Sequence, residues 1–459
     1  MTFLNQLGAE MNRTTTENGA FTLRSTNNPL VDFFALAGAT RGNQSLGLDL
    51  FKKAFAFDQE SAIRVLFYLR DVRGGQGERA LFRNCLEYLA INEKETSDKI
   101  VSFVPEYGRW DDLFGLHTET IIPLIKKQLE EDKTTETPSL LAKWLPSENT
   151  SSPKTKQLAR GMMTALGMSS RDYRKMLSSL RKKIKLVEQQ MSKREWASIE
   201  YGKVPSQASL KYRKAFKRND ETRYTSYLEK VTSGEEKINT STLYPYQVYK
   251  AVGTPAAEQL WANLPDYTLG KNGIVVADVS GSMEGDPMAV SVSLALYFAE
   301  RNTGAFKDHF ITFSSNPTLQ KVSGTTLRDK MNSIERAEWG GSTNLYKVFE
   351  CIANAATNAD DVPETIYIIS DMEFDQCADL TNFQAIDALF KAKEIKRPNL
   401  VFWNVNARNK QVPVEQNQYG VTLVSGLSPS IFKLAVENLS PVELVMQVVN
   451  SDRYATIKL

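Results

Sequence analysis

At 459 residues and 42% hydrophobic content, the chain has the length and composition of an ordinary soluble globular protein of two to four domains. Its net charge is only +2, so any nucleic-acid face must come from local clustering; no run approaches the ~20 apolar residues of a membrane span, and Met1 to Asn18 lacks the apolar core of a signal peptide. The cysteines Cys85, Cys351 and Cys377 are sparse and far apart, which fits a reducing cytoplasm, and the only histidines, His117 and His309, lie beside no serine or cysteine motif, which argues against nucleophilic triads and His-ligated zinc.

In chain order, residues 1–28 are polar, carry the run Thr14 to Thr16, and read as a mobile arm. Residues 29–261 read as helical. Ile63, Leu66 and Phe67 form one apolar stripe, and Leu81, Phe82, Cys85, Leu86 and Leu89 form another at helical spacing. Short helices joined by glycine turns suggest stacked hairpins of the HEAT kind, although no clean repeat period is present. The turn Gly74-Gly75-Gln76-Gly77, flanked by Arg70, Arg73 and Arg79, lacks the Lys-Ser/Thr ending of a phosphate cradle and is expected to join two helices. Asp111 and Asp112 are expected to cap a helix beginning near Leu113, and residues 146–170, with Pro146 and Pro153, to form a loop.

Residues 171–218 hold fifteen Lys and Arg against four acids, leaving +11 in an otherwise acidic chain. The cations Arg171, Arg174, Lys175, Arg181, Lys182, Lys183, Lys185, Lys211, Arg213, Lys214, Lys217 and Arg218 are the candidates for phosphate contact. Tyr173, Trp196, Tyr201, Tyr212 and Phe216 are interleaved with them and would offer faces for base stacking. A solvated helix surface with its aromatics turned inward is the alternative, and Trp196 and Phe216 suit the core better than a platform.

From residue 262 to 459 the texture changes to strands alternating with helices. Strands are expected at Gly273 to Asp278, His309 to Phe313, Thr365 to Ser370, Asn399 to Asn406 and Gly420 to Val424. Helices are expected at Met288 to Glu300, Leu345 to Ala356, Asn382 to Lys393, Ser430 to Glu437 and Pro441 to Val449. Near-continuous apolar strands between helices imply a doubly wound parallel sheet. Ligands bind such sheets beyond the strand C-termini, which is where Asp278-Val-Ser280-Gly-Ser282 falls. One carboxylate and two hydroxyls in a tight turn can converge on a hard cation. The same turn alone could be a helix cap, but Thr343, after Gly340-Gly341, and Asp371, ending its strand, favour the cation. Glu284 and Asp286 read as solvated loop acids.

These five residues match the ligand positions of the metal-ion-dependent adhesion site, and the domain resembles a von Willebrand factor A (vWA) domain. The resemblance implies Mg²⁺ or Mn²⁺ with one coordination position open to an anionic group of a partner. Together with the helical half, the chain resembles the Ro autoantigen, a TROVE module of HEAT-like helices closed by a vWA domain. It is most similar to a sister family of uncharacterised phage, plant and fungal proteins. That likeness is carried by Arg73-Gly-Gly-Gln-Gly-Glu-Arg79, Tyr107-Gly-Arg-Trp-Asp-Asp112, Lys143-Trp-Leu-Pro146 and Lys203-Val-Pro-Ser206. It implies a non-enzymatic cytoplasmic protein that binds single-stranded or small structured RNA through a basic helical surface. The alternative is a scaffold whose metal grips an acidic residue of a protein partner.

Overall fold

The computed structural model describes residues 11–459 apart from 271, 314–315, 338, 357, 359–360, 378 and 435–438. The α/β part is one six-stranded sheet in the order β5-β4-β3-β6-β7-β8. Its strands are β3 (Gly273–Ala277), β4 (His309–Thr312), β5 (Leu319–Lys321), β6 (Thr365–Ser370), β7 (Asn399–Asn404) and β8 (Val421–Ser425). Every residue of β3, β6 and β8 is buried, which is why their sequences are mostly apolar, with only small hydroxyl residues among them, rather than alternating with charged ones. The sheet is mixed rather than wholly parallel, because β5 runs antiparallel along β4 at the edge. Leu319-Gln-Lys321 is short and largely exposed, so no hydrophobic run announces it.

Four helices open the helical part: Pro29–Leu36, Gln44–Phe57, Gln59–Arg70 and Ala80–Asn92. Both apolar stripes are buried as the spacing predicts. The helix Gln59–Arg70 goes further, with every residue from Ser61 to Arg70 buried. Its polar side is covered by the C-terminus of the chain: Arg64 donates from Nε to the Ile457 carbonyl at 3.1 Å, and Tyr454 stacks on the neighbouring Tyr107 at 5.8 Å between centroids. The loop after this helix is the turn expected of a helical hairpin. Its Gln76 side chain is buried in a slot between Gly38 and Gly426, where an added Cβ would meet Gln76 Oε1 at 1.9 and 2.3 Å. Gly38 N also donates to Ser425 Oγ on β8 at 2.9 Å. Helices and sheet thus share one continuous apolar core, and residue 262 marks a change of texture rather than a gap between cores.

Four local expectations are corrected. Residues 146–170 are not a loop throughout, since Pro153–Leu166 is a helix; Ser152 accepts from Thr155 N at its start, and Gly167 ends it in the left-handed region at φ 68°. A proline in the first turn begins a helix rather than breaking it. Asp112 caps no long helix: it is buried between Arg70 and Arg83, each at 2.7 Å, and the next helix begins only at Thr118. Residues 11–28 are not a free arm. They form a hairpin of β1 (Arg13–Thr15) and β2 (Phe21–Leu23), with Leu23 and Val412 exchanging backbone hydrogen bonds at 3.0 and 2.9 Å. Its own Thr16, Ala20 and Thr22 are buried, which polar composition does not reveal. The expected helix from Ser430 is a 3-10 stretch, Pro429–Leu434, and its last residues lie outside those described.

Candidate metal centre and basic face

The strand order reverses between β3 and β6, so the loops leaving their C-termini diverge and open a crevice. Asp278 follows β3 and Asp371 follows β6. The backbone ladder carries one residue past β3, Asp278 N donating to Ile369 O at 3.0 Å, so both carboxylates sit at the switch point. Asp278 is fully buried. Its Oδ2 accepts from Ser370 Oγ at 2.6 Å and its Oδ1 from Ser280 N at 2.9 Å. Burial raises the Asp278 carboxyl above the ordinary carboxylate range and the neighbouring Asp371 adds to it, while the Ser370 and Ser280 hydrogen bonds oppose the rise. The 3-10 turn Gly281–Met283 brings the Ser280 and Ser282 hydroxyls to 3.1 Å from each other. Asp371 accepts from Glu373 N at 3.2 Å through Oδ1 and from Arg408 Nη2 at 3.2 Å through Oδ2. Between them Met372 holds a left-handed φ of 67°, a conformation that bulky residues keep only where the surroundings impose it.

Thr343 is tied to the same loop farther along. Its N–H donates to Asp375 Oδ2 at 2.8 Å, and its hydroxyl lies 2.9 Å from Asp375 Oδ1 and 3.1 Å from Glu373 O. The crevice therefore gathers Asp278 with Asp371, Ser280 with Ser282, and Thr343 onto the loop that follows Asp371. A Cβ at Gly341, two residues before Thr343, would meet nothing within 4 Å, so this glycine serves no close backbone approach. Asp286 pairs with Lys250 and Glu284 is exposed, as solvated acids do. Among the described residues no three His, Cys, Asp or Glu side chains group as metal ligands, and no Lys or Arg pairs with Asp278. Two close carboxylates with hydroxyls beside them, and one carboxylate buried without a cation, are a donor set that fits a hard divalent ion.

Five residues at the crevice were not singled out from sequence: Glu17, Asn18, Glu373, Asp375 and Arg408. Asn18 Nδ2 donates to Thr343 Oγ1 at 3.2 Å and to Glu373 O at 2.7 Å. Glu17 N donates to Glu373 Oε2 at 2.7 Å, and the buried Glu373 carboxylate also accepts from Asn409 and Gln411. Arg408 reaches Glu17 Oε2 at 2.7 Å as well as Asp371. The alternation Asp371-x-Glu373-x-Asp375 was the available signal. No local pattern connects the N-terminal residues to it.

In the basic stretch the helices Ser170–Ile184 and Ser206–Asn219 carry most of the charge. Arg171, Lys175, Lys182, Lys185, Lys211, Lys214, Lys217 and Arg218 are exposed, and among the described residues none joins an ion pair. Four other candidates are engaged. Arg181 donates to the Ala142 and Leu145 carbonyls and to Ser147 Oγ at 2.7–2.8 Å, and burial holds its guanidinium below the usual arginine range. Lys183 donates to the Lys133 and Thr135 carbonyls, Arg213 to the Leu210 carbonyl, and Arg174 to the Ser170 carbonyl with Glu148 at 3.7 Å. Tyr173, Tyr201 and Phe216 are buried and Tyr212 and Trp196 half-buried against the core, so base stacking on the buried three is corrected to core packing. Tyr201 and Phe216 pack with Tyr224 at 4.9 and 5.4 Å.

Fold and crevice define a helical body fused to an α/β sheet with an oxygen-lined switch point. Residues 16–97 and 124–274 match the family described as domain of unknown function DUF2828, and residues 272–454 match domain of unknown function DUF7788. The uncharacterized protein L728 of Acanthamoeba polyphaga mimivirus is 30% identical over 500 residues, covering 94% of this chain and 86% of the viral protein. The chain belongs to the DUF2828 family. The crystal structure of the Deinococcus radiodurans Ro (RSR) protein overlays 90% of this chain and 100% of its own at 12% identity and a TM-score of 0.39, too loose a likeness to carry an argument.

Proposed function

We propose that this protein binds RNA without chemical turnover, through the exposed cations of residues 171–218, and holds one Mg²⁺ or Mn²⁺ at Asp278, Ser280, Ser282, Thr343 and Asp371. The observation that carries RNA binding is the eight exposed cations, free of ion pairs among the described residues, in a stretch of charge +11. Phosphates gain most from cations that have no competing carboxylate to leave. The cation is supported by the donor set at the switch point and by the burial of Asp278 beside Asp371. With the aromatics turned inward, contact is with the phosphate backbone, so the bound RNA is single-stranded or a small structured one with little sequence preference.

A second function is favoured by the crevice itself. A divalent ion with an open position would grip a carboxylate of a protein partner, with the helices completing the surface. A titration of fluorescent single-stranded RNA separates the two. RNA binding should weaken at least tenfold when Lys211, Lys214, Lys217 and Arg218 become Ala, since each lost phosphate contact removes a share of the counterion release. Binding unchanged by this substitution would refute the assignment. A partner captured only with Mg²⁺, and lost in Asp278→Ala, would put the scaffold in its place.

A further inference from the structure

Three stretches of the helical body, the turn 73–79, residues 107–112 and Lys143-Trp144, come together outside the basic stretch described above. The turn spends its backbone N–H groups on the preceding helix: Gln76 N donates to Tyr68 O at 3.2 Å and Glu78 N to Leu69 O at 2.7 Å. Glu78 is buried and paired with Arg41, which leaves Arg79 exposed at the start of the helix Ala80–Asn92. Four residues on, Arg83 reaches Asp111 and Asp112 at 2.7 Å each, and the buried Arg70 takes the other Asp112 oxygen at 2.7 Å. Arg109 is left with Asp111 Oδ1 at 3.3 Å, and its Nε makes no hydrogen bond. Its guanidinium lies over the half-buried Trp144 ring, 4.2 Å from the centroid, with Lys143 Nζ at 5.6 Å from the same ring. Among the described residues Arg79 and Lys143 join no ion pair. Five cations thus meet two carboxylates, and both carboxylates are already held by Arg70 and Arg83.

Burial holds the Arg109 guanidinium below the usual arginine range; Asp111 opposes this, and the Arg79 and Arg70 charges add to it. Like charges gathered in a half-buried place are relieved by an anion, and a guanidinium held over an indole keeps N–H groups to donate. We infer that Arg79, Arg109 and Lys143, gathered beside Trp144, bind a phosphate group. The arginine forks match pairs of phosphate oxygens, and the lysine adds a point charge. The phosphate comes either from a free diphosphate or from an RNA backbone. Arg181 ties the carbonyls of Ala142 and Leu145, on either side of Lys143-Trp144, to the basic helix Ser170–Ile184, so the site adjoins that helix. None of its three cations belongs to residues 171–218, so it is judged separately from the RNA reading.

The test uses the full chain, with inorganic diphosphate titrated by calorimetry and a fluorescent oligouridine by anisotropy across a salt series. Wild type is compared with Arg79→Gln/Lys143→Gln, whose side chains hold no partner, and with the control Lys126→Gln/Lys127→Gln, an exposed pair on another helix. The first variant should weaken its phosphate ligand about tenfold, as loss of two charge-assisted contacts does, and the control should bind as the wild type does. Weakening of diphosphate alone assigns the site to a free phosphate compound. Weakening of oligouridine, with a salt slope flatter by about 1.4, assigns it to RNA. The inference is overturned if the wild type takes up neither ligand, if the first variant binds both as tightly as the wild type, or if the control loses as much. RNA binding by residues 171–218 survives any of the last two results as long as the Lys211, Lys214, Lys217 and Arg218 substitution still weakens oligouridine.

Discussion

Arg181 and Lys182 are neighbours in the most basic stretch of the chain, and the fold gives them opposite roles. Arg181 closes the turn Leu145-Pro146-Ser147 against its own helix through three hydrogen bonds, and Lys182 is exposed. Arg181→Ala would leave two carbonyls without their donor, a cost of about 2 kcal/mol. We therefore expect it to lower the urea midpoint while RNA affinity changes little at temperatures where the variant is folded. Lys182→Ala should do the reverse. A variant at Arg181 that lost affinity with undiminished stability would return this residue to the RNA face. Charge is legible in a sequence, but its availability is not, because the partners here are backbone carbonyls that any residue could supply.

Among elements, the helix Pro441–Val449 illustrates what local sequence does specify. Ser440 accepts from Glu443 N at 3.4 Å, and the Glu443 carboxylate accepts from Ser440 N at 2.8 Å, with a proline in the first turn. Ser440→Ala should cost about 1 kcal/mol, measured by thermal unfolding. The Ser440 backbone and hydroxyl hydrogen bonds hold the Glu443 carboxyl below its ordinary 4.5. A lowered acid contributes stability above its unfolded pKa and loses it as the pH falls through the folded one, so the gap between wild type and variant should narrow below pH 4.5. A gap that widens in acid would contradict the cap. The same kind of signal made β3, β6 and the Asp278-x-Ser280-x-Ser282 turn readable, since each is a short run with its own period or spacing. β5 was not readable because it is too short and exposed to carry an apolar pattern, and residues 11–28 were not because their partner Val412 comes from a distant part of the chain. Glu17 and Arg408 were hidden for the same reason.

The whole molecule folds around one core, with the N-terminal hairpin packed on the loops of the sheet and the C-terminal residues packed on the helical part. Asp71 is fully buried and paired with Arg453, and it also accepts from Tyr454 OH at 3.0 Å. Arg453→Ala would leave that carboxylate without its cation; because Arg453 is about a third exposed, the cost is on the order of 2 kcal/mol rather than the larger value of a fully buried pair. Calorimetry should show a single transition for the wild type and a lower single transition for the variant. Two separated transitions, with only one shifted, would mean that helices and sheet fold as independent units. No helix among the described residues is long and apolar enough to cross a membrane.

RNA binding through the exposed cations is tested most directly by the salt dependence of affinity for a single-stranded RNA. The wild type is compared with the chain in which Lys211, Lys214, Lys217 and Arg218 are Ala. Each phosphate neutralised contributes about −0.7 to the slope of log affinity against log salt on single strands. Removal of four contacting cations should therefore flatten that slope by roughly 2 to 3 and weaken binding at every salt concentration. An affinity that is weak in the wild type, with the same slope in both proteins, would contradict RNA binding by this face.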